Sequence, residues 1–277
     1  MKLNIVPASM GWQWVKLGVK TFRNQPMALS ALFFLGMAAM SLASLIPFVG
    51  TPLALALLPT FSLVMMVAAA EASQNRMPTM TLLLVAFRTG RDRMRAMALL
   101  GVFYAIGFGL MMGVSTLIDG GNFARVYMGG TPMTPELAQD SSFQAAMWLA
   151  MVFYLPLSLL FWHAPALVHW HVITPVKALF FSIVACMRNF GAFLLYGIGW
   201  MGIFIVAGMV LALMSLLLAG LLGEMAVTLV VPFALMLAAV FFTSTVFSFR
   251  DCFSPPQTSA QPSSSTSDGD GDHHNAS

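Results

Sequence analysis

Six apolar runs along the chain each have about the length that an α-helix needs to cross the hydrocarbon core of a membrane. A span takes about 20 residues, because each helical residue adds about 1.5 Å along the axis. The runs cover approximately residues 27–46, 52–70, 96–118, 144–162, 191–213 and 225–247. The pattern predicts an all-α integral membrane protein with six transmembrane helices.

The runs form three pairs, and a short semi-polar segment containing an arginine precedes each pair. These arginines are Arg23, Arg88 and Arg188. The second run of each pair contains a proline, namely Pro59, Pro156 and Pro232. Proline lacks a backbone N–H and kinks a helix unless neighbouring groups satisfy the freed carbonyl. The pattern favours three tandem helical hairpins, and chance similarity between apolar helices is the alternative explanation.

The segment before the first run is amphipathic at helical spacing. Its apolar positions are Trp12, Val15, Val19 and Phe22, and its polar positions are Gln13, Lys16, Lys20 and Arg23. Tryptophan beside lysine is typical of a helix at the headgroup level of an anionic leaflet. We therefore predict an interfacial amphipathic helix here, with its apolar face in lipid, and similar helices within segments 79–90 and 174–187.

The basic residues are distributed asymmetrically among the connections between runs. Of the 13 lysines and arginines, only Arg125 lies in the connection 119–142 or in the turn between the first two runs. The other basic residues precede the first run, follow the sixth, or lie in the remaining connections. Because positively charged loops stay in the cytoplasm, both termini are predicted to be cytoplasmic and 119–142 to be periplasmic.

Composition supports the same class of protein. Hydrophobic residues make up 59% and charged residues 8% of the 277 residues, and the mean hydropathy is +0.84. A soluble domain needs a polar surface that this composition does not supply. The net charge is only +3, and the basic residues lie at the ends of runs, so they indicate topology and no nucleic-acid partner.

The composition changes after Phe253 to Ser, Pro, Gln, Thr, Asp and Gly. Such a segment cannot bury an apolar core. We predict that residues 1–253 form a six-span membrane domain and that residues 254–277 form a disordered, polar cytoplasmic tail.

The ionisable side chains that could serve as acids, bases or ligands lie near the ends of the apolar runs. Membrane enzymes and proton pathways place such groups inside the bilayer despite the cost of burying charge. Glu71 closes the second run, where a solvated carboxylate is ordinary. The sequence contains neither a serine-nucleophile motif nor a phosphate-binding glycine loop. We therefore expect no enzymatic activity and no cofactor.

Residues 162–171 contain three histidines and two tryptophans at the end of the fourth run. Metal-binding pairs on a helix use i,i+4 spacing, which these histidines lack, and Pro165 interrupts the segment. An aromatic belt in the headgroup zone is favoured over metal or proton chemistry. His163 is the histidine placed to hydrogen-bond to another hairpin. The candidate interface or site residues are His163, His169, His171, Trp162, Glu71, Arg23 and Arg188, with no metal ligand among them.

Four short motifs support a resemblance to a known family. They are Gly11-Trp12-Gln13-Trp14, Phe22-Arg23-Asn24-Gln25-Pro26, Asp119-Gly120-Gly121 and Trp162-His163-Ala164-Pro165. Over residues 6–253 the chain resembles a family of six-span bacterial inner-membrane proteins without an assigned activity. The resemblance implies the architecture and the cytoplasmic membrane as compartment, and it supplies no catalytic residues.

These observations favour a non-enzymatic membrane protein that acts at its basic, Trp-rich inner face. The expected partners are membrane lipids, a second protein or further copies of the same chain. The alternative is a permease or channel for a small neutral or hydrophobic solute, because transporters build sites where proline breaks a span. A polar or hydrated cavity reaching the middle of the bilayer, lined from more than one hairpin, would favour this alternative.

Overall fold

The computed structural model describes residues 2–128, 130–223 and 225–253. The helices are α1 (Met10–Asn24), α2 (Pro26–Ser44), α3 (Gly50–Ser73), α4 (Val85–Arg88), α5 (Arg91–Asp119), α6 (Asn122–Tyr127), α7 (Pro135–Gln139), α8 (Ser141–Trp162), α9 (Ala164–His171), α10 (Pro175–Arg188), α11 (Phe190–Leu222) and α12 (Met225–Cys252). A 3₁₀ turn covers Met80–Leu84. The predicted tail, 254–277, lies outside the described residues.

Among the residues that the structure describes, six helices are long and apolar enough to span a membrane, which confirms the predicted fold class. They are α2, α3, α5, α8 continued into α9, α11 and α12. Their pairs α2–α3, α5–α8 and α11–α12 pack side by side, and α3 joins the pairs by contacting both α5 and α12. The prolines of the second run in each pair, Pro59, Pro156 and Pro232, lie inside α3, α8 and α12. Each helix continues through its proline.

Several spanning helices are longer than a membrane requires. Helix α11 has 33 residues, so it extends about 50 Å at 1.5 Å per residue, whereas the hydrocarbon core is about 30 Å thick. Helices α5 and α12, with 29 and 28 residues, are also longer than a span. The first turns of α11 and the last turns of α12 pack against α1. The extra length therefore lies at the end of the bundle that carries α1.

Helix α1 is amphipathic as predicted, but its apolar face is covered by protein. Trp14, Val15 and Phe22 are buried, whereas Trp12 is 45% exposed. Helix α1 contacts α11 and α12 most extensively, so the prediction that this face lies in lipid was wrong. Helical periodicity identifies an apolar face without showing whether lipid or protein covers it.

The two ends of the described chain meet at this same end of the bundle. Leu3 and Phe253 form an isolated antiparallel bridge, and the Asn4 N–H donates to the Cys252 carbonyl at 2.9 Å. The Val6 N–H donates to Asn189 Oδ1 at 2.8 Å, which connects the amino-terminal segment to the start of α11. The chain therefore enters and leaves the membrane domain on one side.

The connection 119–142 lies at the opposite end and contains α6 and α7. Asp119 accepts hydrogen bonds from the Gly121 and Phe123 N–H groups, while Gly120 adopts φ 65° to end α5. Asp140 accepts hydrogen bonds from the Ser142 N–H at 2.7 Å and the Phe143 N–H at 3.2 Å. Asp140 therefore caps the start of α8, whereas Asp119 holds the turn that leads from α5 into α6.

Candidate functional site

A basic groove lies between α1 and α11. Its volume is about 430 Å³, and it is lined by Trp12, Val15, Lys16, Val19, Lys20, Arg23, Asn24 and Ile203. Lys16, Lys20 and Arg23 are exposed along one face of α1, and Lys16 Nζ lies 5.6 Å from the centre of the Trp12 ring. In the described part of the chain none of the three cations has a carboxylate within 4.0 Å. The groove therefore presents three uncompensated positive charges beside an indole.

His163 is fully buried in an aromatic cage. Its ring centre lies 5.7 Å from that of Phe193, 5.9 Å from Phe249 and 5.4 Å from Phe253. Neither ring nitrogen has a hydrogen-bond partner among the described residues. The hydrogen bond to another hairpin predicted for His163 is therefore not made by its ring in the described residues. Its backbone N–H instead donates to Ser182 Oγ of α10 at 2.9 Å. The imidazole itself contributes packing here.

The other residues of the His/Trp segment share aromatic contacts. The Trp170 and His171 rings lie 5.1 and 5.9 Å from the ring of Phe249, which also contacts His163. The His169 ring lies 5.5 Å from that of Trp170. Trp162 Nε1 donates to Ser248 Oγ at 3.1 Å, and its ring packs against Phe193 and Phe241. The His169 carbonyl accepts a hydrogen bond from Arg93 at 3.4 Å. Across the described ranges no group of three His, Cys, Asp or Glu side chains is close enough to hold a metal ion. The structure thus distributes the segment over several packing contacts.

The remaining candidates occupy separate places. Arg23 lies in the basic groove with Lys16 and Lys20. Glu71 is half-buried near the end of α3, and Arg188 is exposed at the end of α10. Neither of these two lines the groove. Of the charged residues predicted from sequence, the structure therefore gathers Arg23 alone into a defined site.

Two residues that sequence reasoning missed hold this face of the protein together. Trp14 Nε1 donates to Asp251 Oδ2 at 2.8 Å, which connects α1 to the end of α12. The Asn189 side chain accepts from the Val6 N–H and donates to the Asn4 carbonyl at 3.1 Å. Asp251 follows Arg250, and Asn189 follows Arg188, at the end of a helix in each case. These two polar dipeptides were the local sequence feature that could have pointed to the two residues.

A small cavity lies where the three hairpins meet. It has a volume of about 190 Å³ and is lined by Leu58, Pro59, Ser62, Tyr104, Tyr154, Ser158, Phe161, Trp162, Phe241, Phe242 and Thr245. A cleft of about 600 Å³ between α8, α11 and α12 shares Ser158, Trp162 and Phe241 with it. Ser158 and Thr245 donate to carbonyls three residues earlier in their own helices. The cavity is consequently mostly apolar and aromatic.

Comparison with known proteins identifies a relative. A probable inner membrane protein of Burkholderia thailandensis is 33% identical over 273 residues, which cover 97% of this chain and 100% of the relative. No family model and no solved structure matches the chain. Because the identity extends over nearly the whole length of both proteins, this chain belongs to the same family of bacterial inner-membrane proteins.

Proposed function

We propose that this inner-membrane protein is non-enzymatic and acts through lipid or partner contacts at the basic, Trp-rich end of its helix bundle. The observation that supports this most directly is the groove formed by Trp12, Lys16, Lys20 and Arg23. Three cations that have no carboxylate partner in the described ranges, beside a tryptophan, suit an anionic surface at headgroup depth. The same face could equally receive an acidic segment of a partner or a further copy of the chain.

The distribution of charged side chains supports a role without catalysis. Within the described spans, Arg91–Arg95, Asp119, Glu71 and Arg250–Asp251 all lie in the first or last turns of their helices. His163, the ionisable side chain buried deepest in the segment 162–171, faces aromatic rings, and its ring nitrogens have no hydrogen-bond partner among the described residues. Acid–base catalysis requires a positioned proton acceptor or donor within hydrogen-bond reach of the reacting atom.

The proposed orientation has both termini in the cytoplasm. The described ends of the chain are adjacent, and 12 of the 13 basic residues belong to segments at that end of the bundle. Positively charged segments resist export, so this end is assigned to the cytoplasm.

Native mass spectrometry tests the proposed function. The protein, released from membranes with its bound lipids, should carry phospholipid adducts or the mass of a bound protein that survives gentle activation. Exchanging Lys16, Lys20 and Arg23 for glutamine should reduce these adducts. A wild-type protein that carries neither lipid nor protein under the same conditions would contradict the proposal.

A permease for a small neutral or hydrophobic solute is a second candidate. The supporting observation is that all three hairpins line the small cavity, whose mostly apolar surface suits a hydrophobic solute better than a polar one. In an alternating transporter, the same position must open in turn to each side of the membrane. Cysteine in place of Ser62 should then react with a small membrane-impermeant thiosulfonate added from either side. Reaction from one side only, or from neither, would exclude this function.

A further inference from the structure

We infer that the groove between α1 and α11 binds one anionic phospholipid as a specific ligand. The phosphate would face Lys16, Lys20 and Arg23, and one acyl chain would follow the surface of α11 beyond Trp12. This inference rests on the proposed function and narrows it, because it replaces a general lipid-facing surface with one site and one class of ligand.

The polar part of the site is set by spacing along α1. Lys16, Lys20 and Arg23 stand at i, i+4 and i+7, so their side chains share one face of the helix. Like charges at this spacing repel each other when no anion lies between them. A phosphate diester bound among the three cations would remove this repulsion and accept charge-assisted hydrogen bonds.

The apolar part of the site adjoins the polar part without a break. A second groove of about 530 Å³ is lined by Trp12, Ile198, Gly199, Gly202, Ile203, Val206 and Ala207. Trp12 and Ile203 line both grooves. A Cβ on Gly199 would lie 3.0 Å from the Trp12 ring, so the indole rests on this glycine. A Cβ on Gly202 would meet nothing within 4 Å, so the surface of α11 is open at this position of the groove.

The depth of the two grooves fits a phospholipid. About 20 residues of a helix cross the hydrocarbon core. Counting back from the end of α11 at Leu222, the inner boundary of the core falls near Ile203. The cations on α1 then lie at the headgroup level, whereas Val206 and Ala207 lie among the acyl chains.

Charge and shape together select the ligand class. A soluble phosphate would use the cations and leave the apolar groove empty, while a zwitterionic lipid would bring its own cation close to the lysines. An anionic phospholipid satisfies both parts, and the tryptophan at their junction is suited to the boundary between water and hydrocarbon.

The test measures lipid binding to the full chain in detergent by native mass spectrometry. Dioleoyl phosphatidylglycerol and dioleoyl phosphatidylcholine serve as probes, since they share acyl chains and differ in charge. We expect the wild type to bind one phosphatidylglycerol at least tenfold more tightly than phosphatidylcholine. The triple variant Lys16→Gln, Lys20→Gln, Arg23→Gln should lose this preference. Gly202→Leu should weaken binding of both lipids several-fold and leave their ratio unchanged.

A matched control replaces three exposed cations outside the groove, as Arg88→Gln, Arg91→Gln and Arg95→Gln, and should keep the preference. An equal loss in this control would overturn the site while leaving a diffuse lipid-binding face, and thus the proposed function, intact.

The absence of any phosphatidylglycerol preference in the wild type would overturn the site, and the absence of bound lipid and partner would overturn the function as well. Displacement of the lipid by millimolar inorganic phosphate would show that the groove is only an anion site. Thermal unfolding of each variant in detergent establishes that it is folded.

Discussion

At the scale of single residues, the most informative side chain is His163, because its polar imidazole is fully buried. A buried polar group without a hydrogen bond costs about 1–3 kcal/mol relative to a satisfied one. Both ring nitrogens of His163 lack partners among the described residues, and Phe193, Phe249 and Phe253 surround the ring. Such a site favours an apolar ring of similar shape over an imidazole.

We therefore predict that His163→Phe leaves stability unchanged or raises it by up to about 2 kcal/mol, since it removes an unsatisfied polar group. Chemical unfolding in mixed micelles measures the change. Trp162→Phe is the matched control and should lower stability, because it deletes the hydrogen bond from Nε1 to Ser248 Oγ. A large loss of stability in His163→Phe would show that the imidazole has a partner that packing alone does not reveal.

Asp140 supplies the prediction for pH. Hydrogen bonds from the Ser142 hydroxyl and from the Phe143 and Ser142 N–H groups lower the pKa of this carboxyl below its ordinary value. A lowered pKa in the folded state stabilises the fold above the unfolded pKa, and this contribution is lost as the pH falls through the folded pKa. The melting temperature in detergent should therefore decrease when the pH is lowered below about 4. Asp140→Asn should reduce that acid-side dependence, and an unchanged pH profile would contradict the capping role.

At the scale of elements, the position of α1 depends on close backbone approach. A Cβ on Gly11 would lie 2.0 Å from the Ala192 carbonyl oxygen of α11, and a Cβ on Gly18 would lie 2.2 Å from the Ser244 Cβ of α12. Real Cβ atoms do not come this close, so either substitution must push α1 outward. Trp14 would then lose its hydrogen bond to Asp251.

We predict that Gly18→Ala destabilises the protein by about 1–3 kcal/mol, the usual cost of overpacking a tight contact. The control is Gly197→Ala on α11, where a new Cβ meets nothing within 4 Å and helix propensity should give a small gain. Thermal unfolding of both variants, together with protease sensitivity of the segment 10–24, checks the prediction. Equal stability of the two variants would mean that α1 is not docked through Gly18.

The same helices show how far sequence reasoning reaches. The six spans were predictable because lipid requires long apolar runs, and this signal is local. The extension of α5 back to Arg91 and of α12 on to Cys252 was not predictable from the sequence. Outside the hydrocarbon core a helix can continue without an apolar run, so hydropathy does not mark its end. The surroundings of His163 were hidden for another reason. Of the residues that enclose it, Phe249 lies on α12 and Phe253 follows directly after that helix, far along the chain from His163.

The basic groove was half predictable for similar reasons. Lys16, Lys20 and Arg23 share a face by helical spacing alone, so the charged half follows from the sequence of α1. The apolar half depends on α11, where Gly199 contacts the Trp12 ring only after α1 has docked. The hydrophobic periodicity of α1 or of α11 alone does not reveal this contact between the two helices.

At the scale of the whole molecule, the two ends of the helix bundle differ strongly in charge. One end carries both described chain ends, α1, α10 and 12 of the 13 basic residues. The other end carries the connection 119–142, with Asp119, Glu136 and Asp140 against Arg125. Each cation near a span opposes export of its segment, so the asymmetry predicts which end faces the cytoplasm.

Cysteine labelling tests this sidedness. Cysteine at Gly130 should react with a membrane-impermeant maleimide in cells with an intact inner membrane and a permeable outer membrane, and cysteine at Gln74 should react only after the inner membrane is opened. Gln74 is preferred to Gly90, whose φ of 98° disfavours any other residue. Native background should be low, because Cys186 and Cys252 are buried and burial raises the pKa of the Cys186 thiol. The reverse labelling pattern would invert the topology. Equal labelling of both positions in intact cells would mean that at least one of the six helices does not cross the membrane.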